Sequence, residues 1–247
     1  MNMKEKQWFE SWFDTTYYHQ LYQHRNDEEA RLFIATMVMF LNLQPYQRVL
    51  DVACGKGRHS RVLHEHGLKV LGFDLSVNSI NEAKIYASEE LQFLVHDMRE
   101  PLEDDQFDAA FNLFTSFGYF ERNEHDLISL RNIYHSLADG GCFVQDYLNA
   151  QPVMQDLPSH GNAEIDGVEY SWLKHFDQGH ILKDIQVKDG QNQLNFQERV
   201  KAYSLDELKF LHEQAGFEVI HVFGNYLLDA YDQDTSPRLI LVSRKNS

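Results

Sequence analysis

The residues with the most chemical content lie close together. Val49-Leu-Asp-Val-Ala-Cys-Gly-Lys-Gly-Arg-His59 runs from a short apolar stretch into a Gly55-x-Gly57 turn, and a helical pattern begins at once. Two glycines let a backbone approach a ligand closely. A helix start presents unpaired N–H groups and the positive end of a dipole. Asp74 ends the next apolar run, 17 residues after Gly57. An acid there is placed to accept hydrogen bonds from ribose hydroxyls. Asp51 sits in the strand just before the loop, where an unpaired carboxylate would be costly to bury. Two features disfavour a dinucleotide. The third glycine of the dinucleotide fingerprint is replaced by Ser60, and Asp51 would face an anionic pyrophosphate. The same acid suits a cationic ligand end. A ligand with a ribose, a positive sulfonium and an amino-acid tail satisfies both carboxylates, which points to S-adenosylmethionine.

The segments VLDVACGKGRHS and VLGFDLS resemble class I S-adenosylmethionine-dependent methyltransferases, more narrowly bacterial members with a WFxxxFDxxYYxxLY N-terminal segment. The likeness covers essentially the whole chain and is strongest over 8–149. It implies that Ala53, Cys54, Gly55, Gly57, Arg58 and His59 line the cofactor, with Asp74, Leu75 and Ser76 at the ribose. It likens His96-Asp97-Met98-Arg99 to the corner that contacts adenine, with Asp97 accepting from the amino group. Asn112, Leu113 and Phe114 then fall beside the methyl group. Leu137-Ala-Asp-Gly-Gly141 matches the family's turn before strand five, with Asp139 where Pro is common. The resemblance also lays the segment of Tyr18, Tyr22 and Arg25 over the cofactor as a cover. Thr115, Phe117, Tyr119 and Tyr147 are expected to line the acceptor pocket.

Catalysis stays unassigned. A sulfonium already makes its methyl group electrophilic, so a base is needed only if the nucleophile arrives protonated. Tyr119, His125, Asp146, Tyr147 and His175 qualify equally. No metal site is expected. The chain has 13 histidines but no HExxH, and His64 and His66, two apart, do not share a helix face. No Gly-x-Ser-x-Gly elbow supports a hydrolase. The Asp/Asn-Pro-Pro-Tyr sequence used on planar amides is also missing after strand four. Cys54 reads as a small residue fitted against the ligand rather than a nucleophile.

The elements that must position these residues follow from periodicity. Short apolar runs at 48–53, 69–74, 91–96, 107–113 and 142–148 alternate with helical stretches, which indicates a doubly wound, mostly parallel α/β sheet covered on both faces. Residues 5–42 read as helical, with a second helix from about Asp27 to Asn42 that stops near Pro45, and 1–44 forms an N-terminal helical cover ahead of a cofactor-binding core at 45–150. Period-two alternation over 165–203, with turns at Gln178-Gly179 and Asp189-Gly190, reads as an inserted three-stranded antiparallel β-meander that lids the acceptor. Ser204-Leu-Asp-Glu207 is a capping box opening a helix that Gly216 ends. Two more strands, 217–223 and 238–243, complete a seven-stranded sheet with an antiparallel last strand, within a single domain.

Composition bounds the rest. In 247 residues Lys and Arg number 22 and Asp and Glu 38, a net charge of −16. That balance repels phosphate backbones, so no nucleic-acid partner is expected. Two cysteines, Cys54 and Cys142, form no disulfide framework. No stretch has the roughly 18 apolar residues of a membrane span, and a cytoplasmic location without a membrane partner is expected. A homodimer is left open. The expected activity is methyl transfer to N, O or another nucleophile of a small molecule. RNA or protein methylation, a nicotinamide oxidoreductase and a non-catalytic S-adenosylmethionine sensor remain alternatives.

Overall fold

The computed structural model describes residues 7–23, 27–103 and 106–246. The chain divides into two compact units. The larger comprises residues 26–149 and 204–247. It contains α3 (Asp27–Phe40), β1 (Arg48–Val52), α4 (Arg58–Glu65), β2 (Lys69–Asp74), α5 (Val77–Ala83), β3 (Leu91–Val95), β4 (Phe107–Asn112), α6 (Asn123–Ser136) and β5 (Leu137–Leu148). After residue 203 come α8 (Leu205–Ala215), β10 (Phe217–Phe223) and β11 (Arg238–Lys245). The strand order is β10-β11-β5-β4-β1-β2-β3, with β1, β2, β3, β4 and β5 parallel and β11 antiparallel to both neighbours. β1 and β4 are buried almost throughout, as a sheet covered on both faces requires. The expected doubly wound sheet is therefore present. The order reverses between β1 and β4, the crevice where such sheets bind ligands.

Local signals fix the helix ends. Ser204 and Glu207 form the capping box that opens α8, and Gly216 closes it at φ 105°. Ser76 caps α5 by accepting from the Ser79 amide. Phe33, Ile34 and Met37, spaced i, i+1 and i+4 on α3, are fully buried with Val49, Leu63 and Phe111. This corrects the expected 1–44 cover: α3 belongs to the sheet unit, because its apolar stripe is part of that unit's core.

The smaller unit joins residues 150–203 to the N-terminal segment. It contains α1 (Trp8–Trp12), α2 (Thr16–Leu21), α7 (Ala150–Gln155) and a sheet of β6 (Ser159–Ile165), β7 (Val168–Asp177), β8 (His180–Asp189) and β9 (Asn192–Lys201). The meander thus has four strands, not three. β6 escapes the alternation rule because only Ala163 and Ile165 of SHGNAEI are apolar. At Gly161 the missing side chain makes room for Trp172, whose ring would lie 2.4 Å from an added Cβ. The second helix expected from about Asp27 is α3, but the helical stretch before it is interrupted: Thr15 caps α2 by accepting from the Tyr18 amide at 3.1 Å. Trp12 and Leu21 pack with Val168, Tyr170, Ile185 and Val187, so the N-terminal segment and the meander share one core. Two separate covers were expected; they are one unit.

Candidate active site

β1 delivers Asp51 and the glycine turn to the crevice. Ala53 takes a left-handed φ of 58°, followed by Gly55 at 56° and Gly57 at 75°. The two glycines do different work. A Cβ on Gly55 would meet nothing within 4 Å, so that position is open for a ligand. A Cβ on Gly57 would lie 2.7 Å from the Phe93 ring, so this glycine serves packing against β3. Asp74, at the end of β2, accepts from the Gly55 amide at 2.9 Å and from the Ser76 amide at 2.8 Å. It therefore shapes the glycine turn as well as facing it.

Asp51 is 1% exposed. Burial pushes its carboxyl up to about 7, partly offset by a hydrogen bond from Ser60, while the nearby Asp74 charge raises it further. Asn112, at the end of β4 and opposite Val52, donates to the carbonyls of Val52 at 3.1 Å and Ser116 at 3.2 Å. Those two bonds fix the amide's orientation, and its buried Oδ1 has no hydrogen-bond partner among the described residues. A buried acceptor of this kind calls for a donor. Cys54 is buried, and burial together with the Asp51 and Asp74 charges holds its thiol well above the ordinary range. That environment suits a small packing residue, not a thiolate.

Phe114 and Thr115 leave β4 with φ 57° and 62°. The Phe114 ring stacks on His59 at 5.2 Å, and the Arg58 guanidinium lies 4.6 Å from it. Leu113 is core. At the next corner, Asp97 pairs with Arg99. Burial alone would raise the Asp97 carboxyl, but the Arg99 bonds outweigh it and hold it below its usual range. The Met98 carbonyl accepts from Asn132 of α6 at 3.1 Å.

The structure thus brings Asp51, Ala53, Cys54, Gly55, Gly57, Arg58, His59, Asp74, Ser76, Asn112 and Phe114 around one crevice. Other expectations change. The Tyr22 hydroxyl donates to Glu198 at 2.8 Å and accepts from Lys183 at 2.6 Å, and the Tyr18 ring packs on Trp12. These partners of the two tyrosines belong to the smaller unit. Arg25 lies outside the described residues, and Leu75, half-buried, directly follows β2. Phe117 and Tyr147 are buried core residues in ring contact with each other, not pocket surface. Thr115 is buried, and the Tyr119 hydroxyl donates to its carbonyl.

Among the base candidates, Asp146 is fully buried and accepts from Arg238 Nε at 2.7 Å and the Tyr226 hydroxyl at 3.1 Å. His125 packs edge-on to Phe120, and His175 stands 3.5 Å from Asp184 in the smaller unit. Sequence reasoning missed Arg238 and Tyr226. The signal was available: an acid within an apolar strand needs a cation once buried, and Arg238 opens the last strand. Among the described residues, no three His, Cys, Asp or Glu are placed to hold a metal ion. No described helix is long and apolar enough to cross a membrane.

The comparisons with known proteins bear on this geometry. The family described as "Methyltransferase domain" matches residues 22–222. YqeM of Bacillus subtilis, a protein named as a methyltransferase, is 26% identical over 209 residues, 81% of this chain and 84% of its own. Mouse glycine N-methyltransferase is 30% identical over 148 residues, and the match spans 53% of this chain and half of the mouse protein. A solved S-adenosylmethionine-dependent methyltransferase from Clostridium acetobutylicum has the same fold, with a TM-score of 0.79 at 19% identity over 94% of this chain and 96% of that one. A glycine turn flanked by two carboxylates at the switch point, within a chain whose family match covers most of its length, gives one conclusion: the chain belongs to the methyltransferase domain family and is an S-adenosylmethionine-dependent enzyme.

Proposed function

We propose that this enzyme methylates an amine of a small molecule, and that the crevice between β1 and β4 holds the methyl donor. The observation that carries the reading is the unbalanced polarity of that crevice. Two acids, Asp51 and Asp74, and the orphaned Asn112 Oδ1 surround a turn that Gly55 leaves open. A ligand bearing an ammonium, a ribose diol and a cationic sulfur fits this donor set. When bound, S-adenosylmethionine supplies an electrophilic methyl group, so the nitrogen–carbon bond forms as the carbon–sulfur bond breaks and its electron pair leaves on sulfur.

The chain's own residues bind and orient. Asp51 and Asn112 accept from the amino-acid end, and Asp74 accepts from the ribose. The 97–99 corner, anchored to α6 through the Met98 carbonyl, bounds the base. Phe114, held against His59 and Arg58, borders the place where acceptor and methyl group meet. Proximity and orientation of this kind supply on the order of 7–11 kcal/mol in favourable intramolecular cases. A neutral amine needs no strong base, and its extra proton passes to solvent after transfer. An amine acceptor is supported by the name of the mouse relative, and a small molecule over a nucleic acid by the −16 charge.

The test is mass spectrometry of reactions containing S-adenosylmethionine and glycine, a simple alkylamine or an amino sugar. N-methylation of at least one is expected. Methylation of bulk RNA or of protein, with none of the amines modified, would overturn the acceptor class.

A further inference from the structure

We infer that Asp146 is a positioning residue for methyl transfer: with Arg238 it clamps the left-handed turn at Phe114–Thr115. The inference rests on the reading of the β4 exit as the place of transfer. Left-handed φ is unfavourable for any residue with a Cβ, and a β-branched threonine there is a genuine outlier. Two such residues in succession persist only where their surroundings hold them.

Asp146 supplies that hold. Its Oδ2 accepts from the Phe114 amide at 2.9 Å, and its main-chain carbonyl accepts from the Thr115 amide at 2.9 Å. Both amides of the strained pair thus end on one residue. Arg238 closes the ring, donating from Nε to Asp146 Oδ1 at 2.7 Å and from Nη2 to Thr115 Oγ1 at 3.0 Å. The register explains the reach: Ile240 lies opposite Asp146, so Arg238, two residues away on the same face, is the diagonal neighbour. The Tyr226 hydroxyl adds a third donor to the carboxylate, and its ring lies 5.9 Å from that of Phe114 and 4.4 Å from that of Phe33.

A carboxylate already accepting from three donors is arranged to fix a turn, not to collect a proton from an acceptor. The clamp has a route to the cofactor side, because the Phe114 ring it sets in place stacks on His59 of α4, beside the glycine turn. The arrangement assigns Asp146 and Arg238 to geometry, with no proton transfer between them and the substrate.

The test compares wild type with Asp146→Asn and Thr115→Val, the latter removing only the hydroxyl that Arg238 bonds. Amide hydrogen exchange at Phe114 and Thr115 should accelerate about tenfold or more in Asp146→Asn, while Ala110 and Phe111 stay protected. With glycine, or whichever amine of the panel above is turned over, kcat should fall about 10- to 100-fold, as small misplacements do, and the pH–rate profile should keep its shape. Affinity for S-adenosylhomocysteine, read by calorimetry, should change by about threefold or less. If Asp146→Asn does not fold, Thr115→Val carries the same readouts with smaller effects. Loss of one limb of the pH profile with unchanged exchange would make Asp146 a base and overturn the inference. Unchanged exchange and rate would overturn it as well. If wild type methylates no amine, the transfer reading fails by itself, and the exchange data still decide whether the clamp exists.

Discussion

The Ser60 hydroxyl donates to Asp51 Oδ2 at 2.5 Å, inside the first turn of α4. The residue that stands where a dinucleotide fold has its third glycine is thus the partner that lets a carboxylate be buried at the end of β1. A serine at the position that serves helix–strand packing in a dinucleotide fold thus supports an acidic floor here. Gly72 completes the arrangement: a Cβ there would come within 2.9 Å of Ser60 Oγ and 3.0 Å of Cys54 Sγ.

Asp51 makes the ligand-free enzyme sensitive to pH. In the folded chain its carboxyl holds its proton up to about 7, whereas the unfolded chain releases it near 3.8. Its contribution to stability is therefore full below about pH 4 and is lost as pH rises through 7. Urea denaturation across that range should show wild type losing stability relative to Asp51→Asn, by at most about 4 kcal/mol. Affinity for S-adenosylhomocysteine, whose ammonium prefers the ionised acid, should rise over the same interval in wild type only. Parallel stability curves for the two proteins would remove the buried-proton argument.

His212 works in the opposite direction. It lies fully buried between Ser243 at 2.7 Å and Gln145 at 2.8 Å, stacked on Phe143. Burial pushes its pKa down to about 3. The folded state keeps it neutral while the unfolded chain protonates near 6.5, so its stabilisation is full above 6.5 and drains away as pH falls toward 3. His212→Leu should cost about 1–3 kcal/mol at pH 7, because Ser243 and Gln145 lose a partner. The difference from wild type should shrink steadily on acidification. A constant difference between pH 7 and 4 would mean that His212 does not titrate on unfolding.

What the sequence disclosed and what it hid follow one physical line. The sheet was legible because its inner strands, such as β1 and β4, are buried on both faces and read as apolar runs, and α8 because Ser204 and Glu207 announce its start. β6 was hidden because a strand with one small and one apolar inward residue has almost no alternation; only Asp166-Gly167, both left-handed, marked the turn after it. At the site, chemistry local in sequence was readable: the glycine turn, Asp51 and Asp74. The Asp146–Arg238 pair spans 92 positions, and no local pattern encodes which cation a buried acid will find. The contacts of Gly57 with Phe93 and of Tyr22 with Glu198 were hidden for the same reason, since these partners meet only in the fold.

Gly55 and Gly57 should separate binding from stability. Both have left-handed φ, so alanine at either place brings backbone strain of about 1–2 kcal/mol. Only Gly57→Ala adds a collision, with the Phe93 ring, and its melting temperature should fall further than that of Gly55→Ala. Phe93→Leu in the Gly57→Ala background should recover part of the loss. Gly55→Ala places its methyl group in open space and should instead weaken S-adenosylhomocysteine binding, by tenfold or more on the order of 1.4 kcal/mol. Equal binding losses in the two variants would contradict the division of labour.

Asp74 has two tasks, and a simple truncation confounds them. Asp74→Ala removes the acceptor for the Gly55 and Ser76 amides as well as for a ribose. Hydrogen bonds to charged groups contribute roughly 1.5–3 kcal/mol each, so the variant should be less stable and bind S-adenosylhomocysteine about 10- to 150-fold more weakly. A weaker loop alone would produce the same two results. The tasks separate when the ligand is truncated too, because the coupling between two deletions isolates their shared contact. Wild type should bind 2′,3′-dideoxy-S-adenosylhomocysteine much more weakly than the parent compound, whereas Asp74→Ala should bind the two with nearly equal affinity. If Asp74→Ala still discriminates between them as strongly as wild type does, Asp74 holds the loop and something else holds the ribose. Calorimetry on the four combinations of protein and ligand gives the coupling directly.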